Sequence, residues 1–453
     1  MKKTFTTFVT IFAALILLTA CSETMSLPEG GDDSANTGIN RDKNKYVQIF
    51  PDWSFGELGL GTPLDVFSSR DGRLYIADSS ENRIRVIRPS GETEGGIYDS
   101  LSGLPVSPAS VCLDNRFNVY YTDRGSKIYV WPQFSVNTGI KGIVTSREYE
   151  NGSGTQIMDP LDGLASGLNA VPHSEVVDTT ATAVIDSLLL PHVFYDPQSP
   201  NNREGVTDPV SGEALRGNPV YAGINKELIA VAPADQYSLH IYAMDAVNNQ
   251  ILKIKLIPAL LVKLNNGQLI WHYEGVLEDF VATAGTGAGT VSDPTGMTTD
   301  AAGNIYYSQT GDFFSVHKLM GNSYNSAFLV GFDDIMRLGE FGYAQDISVA
   351  ADGNIFVLDT LDRDVKMYSS AGEYLKSVVV REEWVRISDS SYVEDSLVVR
   401  DTLVLRQYAD LLKQPMALTV HNEVIYTIDN GNQRIIRFTK ADDVIVENPD
   451  REE

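Results

Sequence analysis

The chain has few of the residues that build disulfide frameworks, metal clusters or nucleic-acid surfaces. Its 453 residues include 2 cysteines, which excludes a disulfide-stapled fold and a multi-cysteine metal cluster. Lysine and arginine number 35 against 60 acidic residues, which gives a formal charge of −25. Nucleic acids and anionic lipid headgroups are therefore poor partners, because the field of the protein repels them. The hydrophobic fraction of 43% still supplies a sizeable core.

Long apolar runs are also absent beyond the N-terminus. Lys2 and Lys3 precede an apolar run over residues 8–18, which ends at Thr19-Ala20-Cys21. A basic start, a short apolar run and small residues at the cleavage point are typical of a secretory signal peptide. The run is too short for a membrane span, which needs ~20 apolar residues. The second cysteine, Cys112, lies in an alternating apolar run and is predicted to be a buried, inert thiol.

Residues 18–21, Leu-Thr-Ala-Cys, resemble the lipobox of bacterial lipoproteins. The resemblance implies that residues 1–20 are removed and that Cys21 is acylated, so that lipid anchors the protein to a bacterial envelope membrane. An ordinary signal peptide with an accidental cysteine is the alternative. Ser22 stands where aspartate favours inner-membrane retention in enteric bacteria. We therefore expect the outer membrane.

A repeated unit follows a polar N-terminal stretch. In its clearest copy, residues 63–67 lead through Asp71-Gly72 to a run at 74–78 that ends in Asp78, and then to a third run at 82–87. Asp-Gly between apolar runs is a strong hairpin signal. Five further copies have second strands that end near Asp123, Asp245, Ser308-Gln309, Asp359 and Asp429. A small sheet of this kind buries both faces only when copies stack around an axis.

The repeat resembles NHL repeats, loosely so in the third and fourth copies, and the resemblance covers roughly residues 46–440. It implies an all-β, six-bladed β-propeller over residues 46–445. Residues 21–45 are predicted to be a lipidated flexible tether and residues 446–453 a C-terminal tail, since residues 22–45 have almost no large apolar side chains. A loop-rich insertion is expected at about 131–225, and a hairpin within 376–411 around Arg400-Asp401.

Closure of the ring needs a strand from one terminus. Residues 46–50 alternate as a strand does and lead directly into the first blade. The rival is the run at 444–446. We predict that the N-terminal strand completes blade 6.

The repeated aspartates are predicted to be structural. Recurrence at one position in nearly every blade is what a turn requirement produces, because a carboxylate there accepts backbone N–H bonds. A ring of cation- or sugar-binding carboxylates is the alternative.

Two further acids are candidate ligand-binding residues. Asp65 and Asp346 occupy a channel-facing position where the fourth and sixth copies have Gly296 and Ala417. Lactonase-type propellers similar to this chain hold calcium in the central channel with a carboxylate and asparagines. The resemblance thus makes calcium the candidate cofactor, although these two acids also suit a solvated channel lining.

The six histidines show no zinc-site spacing. Some NHL-like propellers are amidating lyases with histidine-held zinc, but blades 1, 5 and 6 carry no histidine in their second and third strands. The sequence therefore favours a monomeric, non-catalytic recognition module that binds a protein, peptide or glycan through one propeller face. A metal-dependent hydrolase or lyase with its site in the central channel is the alternative.

Overall fold

The computed structural model describes residues 46–93, 100–101, 106–115, 117–131, 142–151, 154–157, 170–172, 191–204, 206–207, 214–215, 218–234, 239–263, 268–311, 313–321, 326–379, 381–393, 396–408 and 411–440. The predicted signal peptide and lipidation site, residues 1–20 and Cys21, lie outside these residues. Strands occupy most of them, and the helices are single turns. No helix in this part of the chain has the length and apolarity to cross a bilayer.

The N-terminal half contains a closing strand, blades 1 and 2, and the segment that follows them. Its elements are β1 (Tyr46–Ser54), α1 (Phe55–Leu58), β2 (Pro63–Ser68), β3 (Leu74–Asp78), β4 (Arg83–Ile87), β5 (Ser100–Leu101), β6 (Ser110–Leu113), β7 (Val119–Thr122), β8 (Ile128–Trp131), β9 (Gly142–Asn151), β10 (Gly154–Ile157), β11 (Ala170–Pro172), β12 (His192–Tyr195), α2 (Pro200–Glu204), β13 (Val206–Thr207), β14 (Ala214–Leu215) and α3 (Pro219–Ala222).

The C-terminal half contains blades 3 to 6. Its elements are β15 (Leu228–Pro233), β16 (His240–Asp245), β17 (Gln250–Lys263), β18 (Gln268–Ala282), β19 (Pro294–Thr299), β20 (Ile305–Gln309), β21 (Val316–Leu319), a 3₁₀ turn (Asp334–Met336), β22 (Ala344–Val349), β23 (Ile355–Asp359), β24 (Asp364–Tyr368), β25 (Tyr374–Ser377), β26 (Arg381–Val393), β27 (Ser396–Tyr408), β28 (Pro415–His421), β29 (Val424–Asp429) and β30 (Arg434–Lys440).

Six antiparallel sheets form the blades of a propeller. From the centre outwards they are β2-β3-β4-β5, β6-β7-β8-β12, β15-β16-β17-β18, β19-β20-β21, β22-β23-β24-β25 and β28-β29-β30-β1. The innermost strands contact each other in a closed circle, β2-β6-β15-β19-β22-β28 and back to β2. The prediction of an all-β, six-bladed β-propeller is confirmed.

Strand direction gives the propeller two faces. In every blade the turn between the first and second strands lies at one end of the sheet, together with any turn after the third strand. We call this end the hairpin face. The loop between the second and third strands lies at the other end, where the chain also enters each innermost strand. We call this end the loop face.

One aromatic position repeats in the second strand of every blade. Each ring belongs to a different hydrophobic cluster, and each cluster fills the space between two neighbouring blades. The tyrosine hydroxyl is satisfied where the hairpin begins with aspartate: Tyr120 donates to Asp114 at 3.2 Å and Tyr306 donates to Asp300 at 3.1 Å. Burial between blades therefore explains the aromatic residue of the repeat. The six are Tyr75, Tyr120, Tyr242, Tyr306, Phe356 and Tyr426.

The N-terminal strand completes blade 6, as predicted. Strand β1 pairs antiparallel with β30 from Tyr46 opposite Lys440 to Ser54 opposite Arg434. A bulge interrupts the pairing before Trp53. The pairing joins the two ends of the ring and covers the edge of β30. The rival strand at 444–446 lies outside the described residues.

The insertion after β8 contains more strand than the sequence indicated. Strand β12 returns to pair with β8 as the outer strand of blade 2. Strands β9, β10 and β11 extend the sheet of blade 3, because β9 pairs with the far end of β18. Some partners lie more than a hundred residues apart in the chain, and the periodicity of a single sequence does not reveal pairing at that distance. These strands lie within the segment that was expected to be rich in loops.

The hairpin expected within 376–411 is present, with a different turn. Strands β26 and β27 pair along their whole length, from Arg381 opposite Tyr408 to Val393 opposite Ser396. Arg400 and Asp401 lie in the middle of β27, opposite Asp389 and Ser388.

Candidate functional site

The innermost strands line the central channel, and five of them begin with a β-bulge. A bulge inserts one unpaired residue into a strand and re-aims its side chain. The residues that follow the register shift are Asp65, Ala230, Gly296, Asp346 and Ala417. Both candidate acids therefore occupy this position.

Asp65 joins the inner strands of blades 1 and 2. Its Oδ1 accepts the backbone N–H of Val66 and its Oδ2 accepts the backbone N–H of Val111, each at 2.8 Å. Asp346 repeats the arrangement between blades 5 and 6, with Ile347 and Leu418 as donors, again at 2.8 Å. The sequence pattern predicted that both acids face the channel, but it held no sign that they connect neighbouring blades.

The two carboxylates share an electrostatic environment. Burial raises the pKa of Asp346 well above its ordinary value, and the charge of Asp65 raises it further, against the lowering effect of the bonds from Leu418 and Ile347. Burial also raises the pKa of Asp65, opposed by bonds from Val111 and Ser110. Like charges that face one low-dielectric space disfavour joint ionisation. The pair can therefore hold a proton.

A calcium site does not fit these two acids. Calcium takes six to eight oxygen ligands, whereas these two acids together offer four carboxylate oxygens, and each of the four already accepts one backbone N–H bond. Among the described residues, no three histidine, cysteine, aspartate or glutamate side chains lie close enough together to hold a metal ion. Asp65 and Asp346 instead form hydrogen bonds between neighbouring blades.

Hydroxyl groups connect further blades, a role that sequence analysis missed. Ser110 in blade 2 accepts the backbone N–H of Val231 in blade 3 at 3.3 Å. Thr299 and Thr295 in blade 4 donate to the carbonyls of Pro233 and Ala344 in the two flanking blades, at 2.6 Å each. Ser110 occupies the same position in its repeat as Asp65, since it lies opposite Thr122 as Asp65 lies opposite Ala77. This equivalence is a signal that could have identified Ser110.

The strand-end aspartates accept backbone N–H bonds, as predicted, but most of these bonds do not come from the turn after the strand, which the aspartates were expected to cap. Their main donors belong to the segment that enters the innermost strand of the same blade: Asp78 accepts from Gly61 and Thr62 at 3.0 and 2.8 Å. Asp359 and Asp429 do the same with the segments before β22 and β28. These acids stabilise the loop face and are not free to bind a ligand.

Blade 4 replaces that aspartate with Gln309. Its Oε1 accepts the N–H of Ser292 at 2.9 Å, and its Nε2 donates to the carbonyl of Phe314. His317 lies beside it, fully buried, and accepts the N–H of Gly289 at Nδ1. Burial lowers the pKa of His317 to about 4. This histidine is a neutral structural residue.

The loop face exposes apolar side chains at the seam between blades 4 and 5. Phe313 is 57% exposed, Leu361 70% and Tyr343 43%. Phe314 and Phe341 pack in the core cluster of this seam, so the exposed neighbours Phe313 and Tyr343 flank it. We call Phe313, Tyr343 and Leu361 the seam patch. The sequence held no signal for it, because single apolar residues in loops are common.

Cys112 is fully buried and unpaired, as predicted. Burial raises the pKa of its thiol well above the ordinary value, and the charges of Asp114 and Asp65 raise it further. The thiolate is the reactive form of cysteine. Cys112 is therefore inert.

No protein family and no curated protein matches the chain. Solved structures that are similar to it include virginiamycin B lyase from Staphylococcus aureus, 10% identical over 87% of this chain and 99% of that one, with a TM-score of 0.39. The calcium-binding protein regucalcin from Agrobacterium tumefaciens is 8% identical over 86% of this chain and 93% of that one, with a TM-score of 0.39. A gluconolactonase from Xanthomonas campestris is 9% identical over 90% of this chain and 92% of that one, with a TM-score of 0.40. These likenesses concern the fold and say nothing about the site.

Proposed function

We propose that this chain is a non-catalytic recognition module of the bacterial envelope. A lipid on Cys21 anchors it to a membrane, and we favour the outer membrane over the inner one. It binds a protein or peptide through the seam patch on the loop face. The observation that carries this proposal is the presence of three exposed apolar side chains in the loop-face segments of blades 4 and 5.

The loops of the seam patch are held in place before any partner binds. The N–H of Tyr343 donates to Asp359 at 3.0 Å, and the N–H of Thr360 donates to the carbonyl of Tyr343 at 3.0 Å. Leu361 lies against Gly342, where an added Cβ would lie 2.9 Å from the leucine side chain. A preorganised apolar patch loses little entropy on binding. Aromatic and aliphatic anchors of this kind carry most of the affinity in protein interfaces.

The test is site-specific cross-linking in the native envelope. A photoreactive amino acid replaces Leu361 in the full-length chain, and a matched control carries it at Val247, which is 53% exposed in the corresponding loop of blade 3. We expect one discrete cross-linked species from position 361 and none from position 247. Adding Phe313→Ser should abolish it. Equal cross-linking at both positions, or none at position 361, contradicts the proposal.

The second candidate function is a hydrolase or lyase in the channel. The observation that favours it is the carboxyl pair of Asp65 and Asp346 with raised pKa values, because a carboxyl group whose pKa is raised keeps a proton that it can donate as a general acid. Stoichiometric calcium or zinc in the purified protein, held by residues other than these two acids, would favour this candidate over the recognition module.

A further inference from the structure

A second apolar surface lies at the outer rim of blades 4 and 5, on the hairpin face. Its centre is a turn at residues 329–333, in which Phe332 is 83% exposed and Leu329 62%. The turn lies between β21 and β22, where blade 4 has three strands among the described residues. We call this surface the apolar rim. Its members are Met320, Leu329, Val330, Phe332, Tyr374 and Leu375.

The turn at the centre of the apolar rim is held by hydrogen bonds. The N–H groups of Phe332 and Asp333 donate to the carbonyl of Leu329, at 3.2 and 3.0 Å. The carboxylate of Asp333 accepts the N–H of Leu329 at 2.6 Å. Gly331 has a φ of +80°, which suits glycine. The turn therefore presents its large apolar side chains to solvent in a fixed conformation.

Buried residues on both sides attach the turn to the propeller. Phe328, Ile335 and Met336 pack in the cluster between blades 4 and 5. The N–H of Ile335 donates to the carbonyl of Gly372, at the hairpin end of blade 5, at 2.9 Å. The exposed side chains thus project from a well-anchored segment, and their exposure does not come from a loose loop.

The chain enters the propeller close to the apolar rim and on the same face. Tyr46 pairs with Lys440, the last residue of β30, and this end of blade 6 lies on the hairpin face. Lys376 in β25 places its Nζ 5.8 Å from the Tyr46 ring centroid. Two residues earlier in β25, the N–H of Tyr374 donates to Asp334, beside the turn, at 2.9 Å.

We propose that the apolar rim docks on the surface of the bilayer to which the tether leads, with Phe332 and Leu329 in the apolar boundary region. The proposal rests on the membrane anchor proposed above. The 24 residues from 22 to 45 join Cys21 to β1. An unstructured chain of that length spans on the order of 27 Å, so a lipid on Cys21 keeps the hairpin face within reach of the membrane. Docking turns the loop face, with its seam patch, away from the membrane.

The negative net charge of the chain favours an apolar contact with the membrane over an electrostatic one. The chain carries a net charge of −25, so anionic headgroups repel the protein as a whole. Attachment must come from apolar side chains that enter the boundary between headgroups and acyl chains, as in interfacial membrane segments. A second copy of the chain is a poorer occupant, because two molecules of this charge repel each other.

The experiment places an environment-sensitive fluorophore at Phe332→Cys in the mature chain. Cys112 is fully buried, and replacing the N-terminal cysteine by a histidine tag leaves one reactive thiol. The tag binds nickel-chelating lipid in vesicles of phosphatidylethanolamine with a minor fraction of phosphatidylglycerol, so acylation is not needed. The control carries the label at Leu361→Cys on the loop face.

We expect the emission at position 332 to shift to shorter wavelength on vesicle binding and to be quenched by a lipid-borne quencher, with no change at position 361. Adding Leu329→Ser should remove the shift at position 332. An unchanged emission at 332, an equal change at 361, or a shift that depends on protein concentration without vesicles would overturn the proposal. Failure of the lipid anchor is detected separately, if Cys21→Ala leaves the full-length protein in the membrane fraction.

Discussion

The side chain of Asp346 in blade 5 accepts a hydrogen bond from the backbone N–H of Leu418 in blade 6, at 2.8 Å. A channel-facing acid thereby connects the innermost strands of two blades. Asp65 connects blades 1 and 2 in the same way, through the backbone N–H of Val111 at 2.8 Å. Polar residues that line a propeller channel are thus not necessarily available to a ligand.

Asp346→Asn should flatten the pH dependence of stability above pH 4. An aspartate in the unfolded chain has a pKa near ~3.9, and the folded protein raises the pKa of Asp346 well above that value, chiefly through burial. The folded state therefore holds the proton more tightly, so the free energy of unfolding decreases as pH rises from about 4 through the folded pKa. The asparagine variant does not titrate and loses this decrease.

Chemical denaturation at a series of pH values measures the effect of Asp346→Asn. The control is Glu373→Gln, an exposed residue in the turn before β25, which should leave the slope unchanged. An unaltered slope in the Asp346 variant would show that the carboxyl group titrates as it does in water.

Gly296→Ala should destabilise the protein by about 1–3 kcal/mol, the usual effect of overpacking. A Cβ at this position would lie 2.6 Å from Oδ1 and 2.9 Å from Cα of Asp346, and the backbone of β22 cannot move without disturbing the channel. The matched control is Gly287→Ala, where an added Cβ meets nothing within 4 Å. Thermal unfolding of the two variants tests this, and equal melting temperatures would contradict it.

The blades could be predicted from the sequence because each copy carries its own local signals. The strand-end aspartate and the hairpin turn, which is Asp-Gly in blades 1 and 5, are local requirements of one blade. The aromatic residue recurs at one position of the second strand, although it packs between blades. Even the exception in blade 4 keeps the requirement, since Gln309 supplies the oxygen that accepts the N–H of Ser292. Because the same local signals recur in each copy, this fold can be predicted from the sequence.

The remaining features depend on contacts between distant residues. Strand β12 pairs with β8 across an insertion, and β9 pairs with β18 more than a hundred residues later; neither partner is marked in the local sequence. The seam patch and the apolar rim were missed for a related reason. Exposure of an apolar side chain depends on what the rest of the chain leaves uncovered, and periodicity does not report it.

His317 should stay neutral down to about pH 4, because burial lowers its pKa to about 4. Histidine in the unfolded chain has a pKa near ~6.5, so the unfolded state takes up a proton first as pH falls. Stability is therefore fully present above pH 6.5 and decreases towards pH 4, by roughly 3 kcal/mol. Nuclear magnetic resonance titration of the ring measures the pKa directly. A midpoint near 6.5 would refute the prediction, and His317→Asn should remove this part of the acid sensitivity.

Arg437→Met should weaken ring closure. The Arg437 guanidinium lies 4.1 Å from the centroid of the Trp53 ring and donates to the carbonyl of Pro51 at 2.7 Å, so it holds the bulged part of β1 against β30. Methionine keeps much of the apolar volume but loses the cation–π contact and leaves a carbonyl without this donor, at a cost of about 2–3 kcal/mol.

Limited proteolysis combined with thermal unfolding distinguishes loss of closure from general destabilisation. Cleavage near β1 should become faster in Arg437→Met, because the strand that joins the two ends of the ring detaches before the other blades unfold. Lys440→Met is the matched control in the same strand, since Lys440 forms a surface ion pair with Glu423 and such pairs contribute ~0–1 kcal/mol. If both variants show the same cleavage pattern, the contacts of Arg437 are not what holds the closing strand. The pairing of β1 with β30 must then depend on its backbone hydrogen bonds and on the burial of Tyr46 and Trp53.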